Sequence, residues 1–214
     1  MITTILIILF LLLLFMQIHS NKKTVYNRFR NRFKYVKRPG TLGVDMSYCI
    51  VMPDRIDHAT QKMEELGGDY KLFHAIRPDL LNYTDYLTMS RTYLPGHQSF
   101  NKKSKICVAL SFFMCYYDAY LNGYDSICVF EDDIDFPKGI PIIKESIQEF
   151  KELPEFGVFF MGYCQLPCFL IKERISHNLV NATGIRIACN HGLCMKKSFI
   201  KKYIQSRPLF YYTH

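Results

Sequence analysis

Residues 131 to 135, Glu131-Asp132-Asp133-Ile134-Asp135, place four carboxylates in five positions directly after the apolar run Ile127-Cys128-Val129-Phe130. Carboxylates this close repel one another and disfavour joint ionisation unless a cation or hydrogen-bond donors offset the charge. A hard divalent cation, Mg²⁺ or Mn²⁺, is the partner that oxygen ligands of this kind suit. Side chains two apart in an extended segment point the same way, so Asp133 and Asp135 are the expected metal ligands. The competing reading of such a cluster is a solvated acidic turn. What favours a site is the element in front: a short β-branched and aromatic run is the pattern of a strand buried on both faces. Open α/β sheets bind their ligands just past the carboxyl ends of such strands.

The elements that must position this cluster read as an alternation. Ser47 to Met52 has the character of a first buried strand, turned by Pro53-Asp54 into a helix that runs to Gly67-Gly68. Lys71 to Ile76 reads as a second strand, with His74 a packed residue rather than a ligand. Residues 78 to 103, polar and rich in Tyr, read as an excursion over the mouth of the sheet. Lys105 to Leu121 carries apolar residues at helical spacing and ends at Gly123, before the strand that bears the acids. Ile142 to Leu153 is a further helix, and Phe156 to Met161 the next strand. Gly162 to Asn190 is irregular, and Gly192 to Tyr203 leads through a short strand or turn into a last helix. The expected fold is α/β, with a mainly parallel, Rossmann-like sheet flanked by helices.

Upstream, residues 2 to 16 are almost wholly apolar and the run extends weakly to Ser20. This is read as a membrane segment over residues 2–18, either a retained single-pass anchor or a signal peptide cleaved after Ser20. Asn21 to Arg38 then carries eight basic residues and no acid, and holds much of the formal net charge of +8. It is read as a juxtamembrane stem whose partners are anionic headgroups. The expected division is therefore residues 1–20 as anchor or signal, 21–45 as basic stem, and 46–214 as one folded domain. With no basic stripe or nucleic-acid motif in the folded part, no nucleic-acid partner is expected.

Eight cysteines are too few for a disulfide scaffold in 214 residues. Cys49, Cys107, Cys115 and Cys128 fall within expected strands and helices, where a thiol packs. Cys164, Cys168, Cys189 and Cys194 fall in the irregular part, open to disulfides in an oxidising compartment, free thiols in a reducing one, or zinc. Asn82-Tyr83-Thr84 and Asn181-Ala182-Thr183 fit the N-glycosylation pattern and tilt the expected location toward the ER or Golgi lumen, with the cytosolic face the alternative.

Several phrases of this chain resemble glycosyltransferase family 25, which includes bacterial lipooligosaccharide galactosyltransferases and collagen galactosyltransferases. They are Pro53-Asp54-Arg55, Met63-Glu64-Glu65-Leu66, Leu72-Phe73-His74-Ala75-Ile76, Ala109-Leu110-Ser111 and, most specifically, Gly123 to Asp135. The resemblance covers roughly residues 46 to 205. It implies a GT-A-like nucleotide-sugar fold in which the acidic motif binds the donor diphosphate, usually through Mn²⁺. Carried over by position, Asp133 and Asp135 are the metal candidates. Asp132, Arg55, Glu131 and His191 are the donor-binding candidates, with Glu131 supporting the motif from behind. Three departures stand out. Phe112 follows Ala-Leu-Ser where members usually have His; Asp57-His58 stands where a second arginine is expected; and the chain stops before a C-terminal acidic segment that members commonly carry, as though truncated.

The function expected on this basis is metal-dependent transfer of a hexose, galactose or glucose, from a nucleotide sugar, UDP-hexose foremost, to a glycan or protein acceptor. A cation would stabilise the charge that develops on the leaving diphosphate. The alternatives are a glycosyltransferase-like domain that binds without turnover, suggested by Phe112, and an unrelated phosphoesterase, for which His58, His74 and His97 lack useful spacing. No general base is identified; Glu173 is merely available.

Overall fold

A computed structural model describes residues 2–81, 103–162, 173–181 and 191–206. Six strands form one sheet in the order β1 (Phe33–Val36), β3 (Tyr70–His74), β2 (Met46–Val51), β4 (Ser126–Glu131), β8 (Gly192–Lys196) and β5 (Val158–Gly162). The pairs β3–β2 and β2–β4 are parallel. Those of β1 with β3, β4 with β8 and β8 with β5 are antiparallel. Four strands, β2 to β5, thus share a direction and two run against them, so the sheet is mixed where a mainly parallel one was expected. A separate hairpin pairs β6 (Glu173–Arg174) with β7 (Val180–Asn181).

Helices cover both faces. On one lie α2 (Ile56–Leu66) and α4 (Ile140–Lys151), whose Ala59, Met63, Leu66, Ile147 and Phe150 join Cys49, Val51, Leu72, Cys128 and Phe130 of the sheet. The 59/63/66 spacing is one apolar stripe of a helix, and Gly67, at φ +75°, ends it. On the other face lie α3 (Lys103–Asn122), α5 (Lys197–Ser206) and the end of α1 (Ile2–Phe29), packed on Tyr48, Ile50, Phe73, Ile127 and Val129. Nearly every residue of α3 from Ile106 to Ala119 is buried, because it lies between the sheet and further helices. Sheet residues alternate between the two cores, as the strand period requires.

The N-terminal expectations are corrected here. Among the described residues, no helix is long and apolar enough to cross a membrane. The single-pass anchor over residues 2–18, and the membrane localisation drawn from it, are therefore withdrawn. Residues 2–29 do form a helix, but its C-terminal part belongs to the domain. Lys22 is buried and donates to the carbonyl of Ile204, Tyr26 donates to Asp118 Oδ1 at 2.7 Å, and Phe29 is buried in the core. The basic stem is folded as well, since Phe33–Val36 supply an edge strand of the sheet. Cys164, Cys168, Cys189, His97, the Asn82 triplet and most of the 78–103 excursion lie outside the described residues.

Beneath α1 a buried polar hub ties four elements together. Asp118 of α3 accepts from Tyr26, from Tyr48 of β2 at 2.6 Å and from Lys71 of β3 at 2.6 Å. Lys71 Nζ also sits over the rings of Phe33, Tyr48 and Tyr124. A buried carboxylate is tolerable only with such compensation.

Candidate active site at the carboxyl end of β4

Strand β4 delivers the acidic run to the edge of the sheet where β2 and β3 also end. Cys49 lies opposite Phe130 and Ile50 opposite Glu131, so the acids emerge beside the loop Met52–Arg55 that follows β2. The antiparallel neighbour β8 begins at this same edge. Glu131 N–H donates to the carbonyl of His191 at 3.1 Å, and Phe130 faces Gly192. Gly192 is needed for close approach, because a Cβ there would meet the Phe130 ring at 3.0 Å.

Three side chains converge. His191 Nδ1 lies 3.1 Å from an oxygen of Asp133 and 3.5 Å from one of Glu131. One ligand atom from each of Glu131, Asp133 and His191 falls within 4.8 Å of the others. Burial, then the charges of Asp133 and Asp132, push the Glu131 carboxyl up to about 7, with His191 acting in the opposite direction. That is the signature of crowded carboxylates for which a cation would compensate.

The expected pairing of Asp133 with Asp135 is not what the chain forms. It turns at Asp132-Asp133 instead of continuing extended, so the two-residue alternation stops at Glu131. Asp133 folds back toward Glu131 and His191. Asp135 points to α2, where Lys62 Nζ binds it at 2.9 Å and the Phe136 N–H donates to it; both hold its carboxyl below the usual range. Glu131, expected behind the motif, stands within the trio.

Asp132 faces the other way and is buried. Its two oxygens accept from the Met52 N–H at 2.7 Å and from Arg55 at 3.2 Å. It therefore clamps the β2–α2 loop to β4, while the Arg55 side chain stays half exposed at the ligand edge. His58 is 3.2 Å from the carbonyl of Ile134 and braces the acidic turn. Phe112, where the resemblance leads one to expect His, is buried in the core against Tyr116. Glu173 is exposed in the β6–β7 hairpin.

One feature was missed altogether. Cys128, read as a packing thiol, is bonded to Cys194, its direct partner across β4 and β8. Of the four cysteines of the irregular region only Cys194 is among the described residues, while Cys49, Cys107 and Cys115 are free and buried as expected. The spacing in sequence, 66 residues, carried no signal of this pairing; only the register of the two strands does.

The model of glycosyltransferase family 25, described as an LPS biosynthesis protein, matches residues 51–202. No curated protein and no solved structure matches the chain. The matched span runs from the end of β2 through β4 and its acidic turn to His191, β8 and most of α5, which is the greater part of the 214 residues. The chain belongs to glycosyltransferase family 25 and is a nucleotide-sugar-dependent glycosyltransferase.

Proposed function

We propose that this glycosyltransferase moves a hexose, galactose or glucose, from a UDP-sugar to a hydroxyl of a glycan or protein acceptor, with a divalent cation held by Glu131, Asp133 and His191. The observation that carries the reading is the convergence of these three groups at the carboxyl end of β4, the part of an α/β sheet where ligands bind. Two carboxylates and an imidazole fit Mn²⁺, which prefers oxygen but tolerates a nitrogen ligand, better than Mg²⁺, which is held almost wholly by oxygen. When bound, the cation supplies positive charge against the diphosphate that leaves as the glycosidic bond breaks.

The remaining roles belong to the chain. Glu131 gives up its proton as the cation arrives, since only the carboxylate is a ligand. Asp132 positions the Met52–Arg55 loop, and Arg55, anchored through Asp132, offers its other N–H groups to a donor phosphate. Asp135 is committed to Lys62 and stands outside the metal set. The test is Mn²⁺-dependent UDP release from UDP-galactose and UDP-glucose, compared with Asp133→Asn. A loss of about 100-fold is expected, the scale of removing one contact that stabilises developing charge. Full activity in Asp133→Asn, or in protein stripped with EDTA, ends the reading. UDP binding without any release would return it to a binding domain.

A further inference from the structure

A concavity of about 170 Å³ opens at the other edge of the sheet, where β2 and β3 begin. Thr41, Leu42, Asp45 and Ser47 line it from one side, and Gly68 and Asp69, in the turn after α2, from the other. Ser47 lies opposite Cys128 and Ile50 opposite Glu131. Three residues of strand, roughly 10 Å, therefore separate Ser47 from the row of the candidate active site.

The walls are fixed before any ligand arrives. Gly68 sits at φ +83°, and a Cβ there would meet Thr41 Cα at 3.2 Å and Leu42 N at 3.3 Å, so only glycine lets the turn come this close to the 40–42 loop. Asp45 Oδ2 accepts from the N–H groups of Asp125 and Ser126 at 2.5 and 3.1 Å. Asp69 accepts from the Arg38 N–H at 3.0 Å and from the Tyr35 hydroxyl.

Bonding capacity is left over on these walls, and it is of both kinds. Among the described residues nothing donates to Asp45 Oδ1, and the N–H groups of Thr41 and Leu42 donate to nothing. Ser47 is only 3% exposed, yet its hydroxyl has no hydrogen-bond partner among the described residues. Buried hydroxyls are as a rule bonded, so the open bond of Ser47 points to an occupant of the pocket.

We propose that this pocket binds one hexose unit in its ring form. Each sugar hydroxyl both donates and accepts, so it satisfies the Asp45 carboxylate, the Ser47 hydroxyl and the open N–H groups together; a metal ion would use only the oxygens and an anion only the donors. The volume is several times the roughly 30 Å³ of one water, which suits a single pyranose and excludes a nucleotide sugar. Walls that are already in place lower the ordering cost of binding. The pocket thus holds a distal unit of a glycan acceptor. That role rests on the transfer proposed above; hexose binding itself does not.

The test is titration of the isotope-labelled full chain with galactose and with glucose, without metal or UDP-sugar, followed through backbone amide shifts. Saturable shifts at Thr41, Leu42 and Gly68 are expected, and mannitol, which carries the hydroxyls without the ring, should produce them only at much higher concentration. Ser47→Val removes the buried hydroxyl and should weaken binding about 10-fold, the scale of one hydrogen bond left unmade. Thr41→Phe, at an exposed lining position, should block the pocket, with the melting temperature as the check on folding. Asp133→Asn should bind the hexose as the unmodified protein does, which separates this site from the transfer reaction. No saturable shift at these amides, shifts confined to Met52–Arg55 and Glu131, an equal response to mannitol, or unchanged affinity in both Ser47→Val and Thr41→Phe overturns the proposal.

Discussion

Opening the Cys128–Cys194 bond should cost this protein stability that can be worked from its place in the chain. The bond closes a loop of 66 residues. In the chain-entropy description a loop of that length restricts the unfolded ensemble by about 4 kcal/mol. Both sulfurs are buried in the sheet, so the reduced form is best prepared by reducing in denaturant and refolding with reductant present. At a urea dependence of about 2 kcal/mol per M for a domain of this size, the midpoint of unfolding should fall by roughly 2 M. The two thiols occupy nearly the volume of the disulfide, so little of the difference comes from packing. Peptide mapping of the non-reduced protein verifies the 128–194 linkage independently. Coincident midpoints for oxidised and reduced protein, with the linkage verified, would refute the entropic argument.

The remaining predictions concern charge. Asp118→Ala leaves the partly buried Lys71 without its carboxylate partner, and should cost about 3 kcal/mol by urea denaturation, whereas a surface pair would cost under about 1. Glu131 has a folded-state pKa raised to about 7 from an ordinary 4.5. Without metal the fold therefore holds a proton that the unfolded chain releases, so this group's stabilising contribution is greatest at low pH and is lost as pH rises from about 4.5 to 7. Titration of Mn²⁺ should accordingly show affinity increasing with pH up to about 7 and levelling above it; a flat profile would contradict that assignment. Asp135→Asn, which touches none of the three converging groups, should leave Mn²⁺ affinity within about 3-fold of the original, while Asp133→Asn should lower it by more than the roughly 10-fold that even an outer contact to a metal is worth.

The βα alternation and the buried strand ending in acids were legible because both rest on local periodicity. The run Ile127–Phe130 could hardly be anything but an interior strand, and an acidic cluster at its end has few uses. Which of the acids converge was not legible, because it depends on where the chain stops being extended. One turn at Asp132-Asp133 exchanges Asp135 for Glu131, and both pairs, 131/133 and 133/135, have the same spacing in sequence. His191, a candidate through the resemblance alone, is 58 residues from Asp133 and meets it through the antiparallel pairing of β8 with β4, a non-local choice that no window of residues encodes. The same pairing sets Cys128 against Cys194. The mixed character of the sheet has this origin too: βα alternation predicts parallel neighbours, and β8 departs from it by entering the sheet from the irregular region.

The N-terminal segment illustrates a different limit. The basic segment after the apolar stretch was read as a stem, although its first part is helix packed on the domain, because composition alone does not name the surface that receives it. The receiving surface is nevertheless written elsewhere in the chain. From Ile106 to Ala119, α3 is apolar nearly all round, and such a helix requires cover on the side away from the sheet. Asp118, placed on that helix, requires donors. Val25, Tyr26 and Phe29 supply the apolar cover, and Tyr26, with Tyr48 and Lys71, supplies the hydrogen bonds. Once Phe29 is fixed in the core, the short turn Arg30–Arg32 must lead into the edge strand Phe33–Val36, which carries Arg28 and Arg32 to the end of β3. Part of the basic charge read as belonging to a stem, at Arg28 and Arg32, is thus held against the main chain that follows β3.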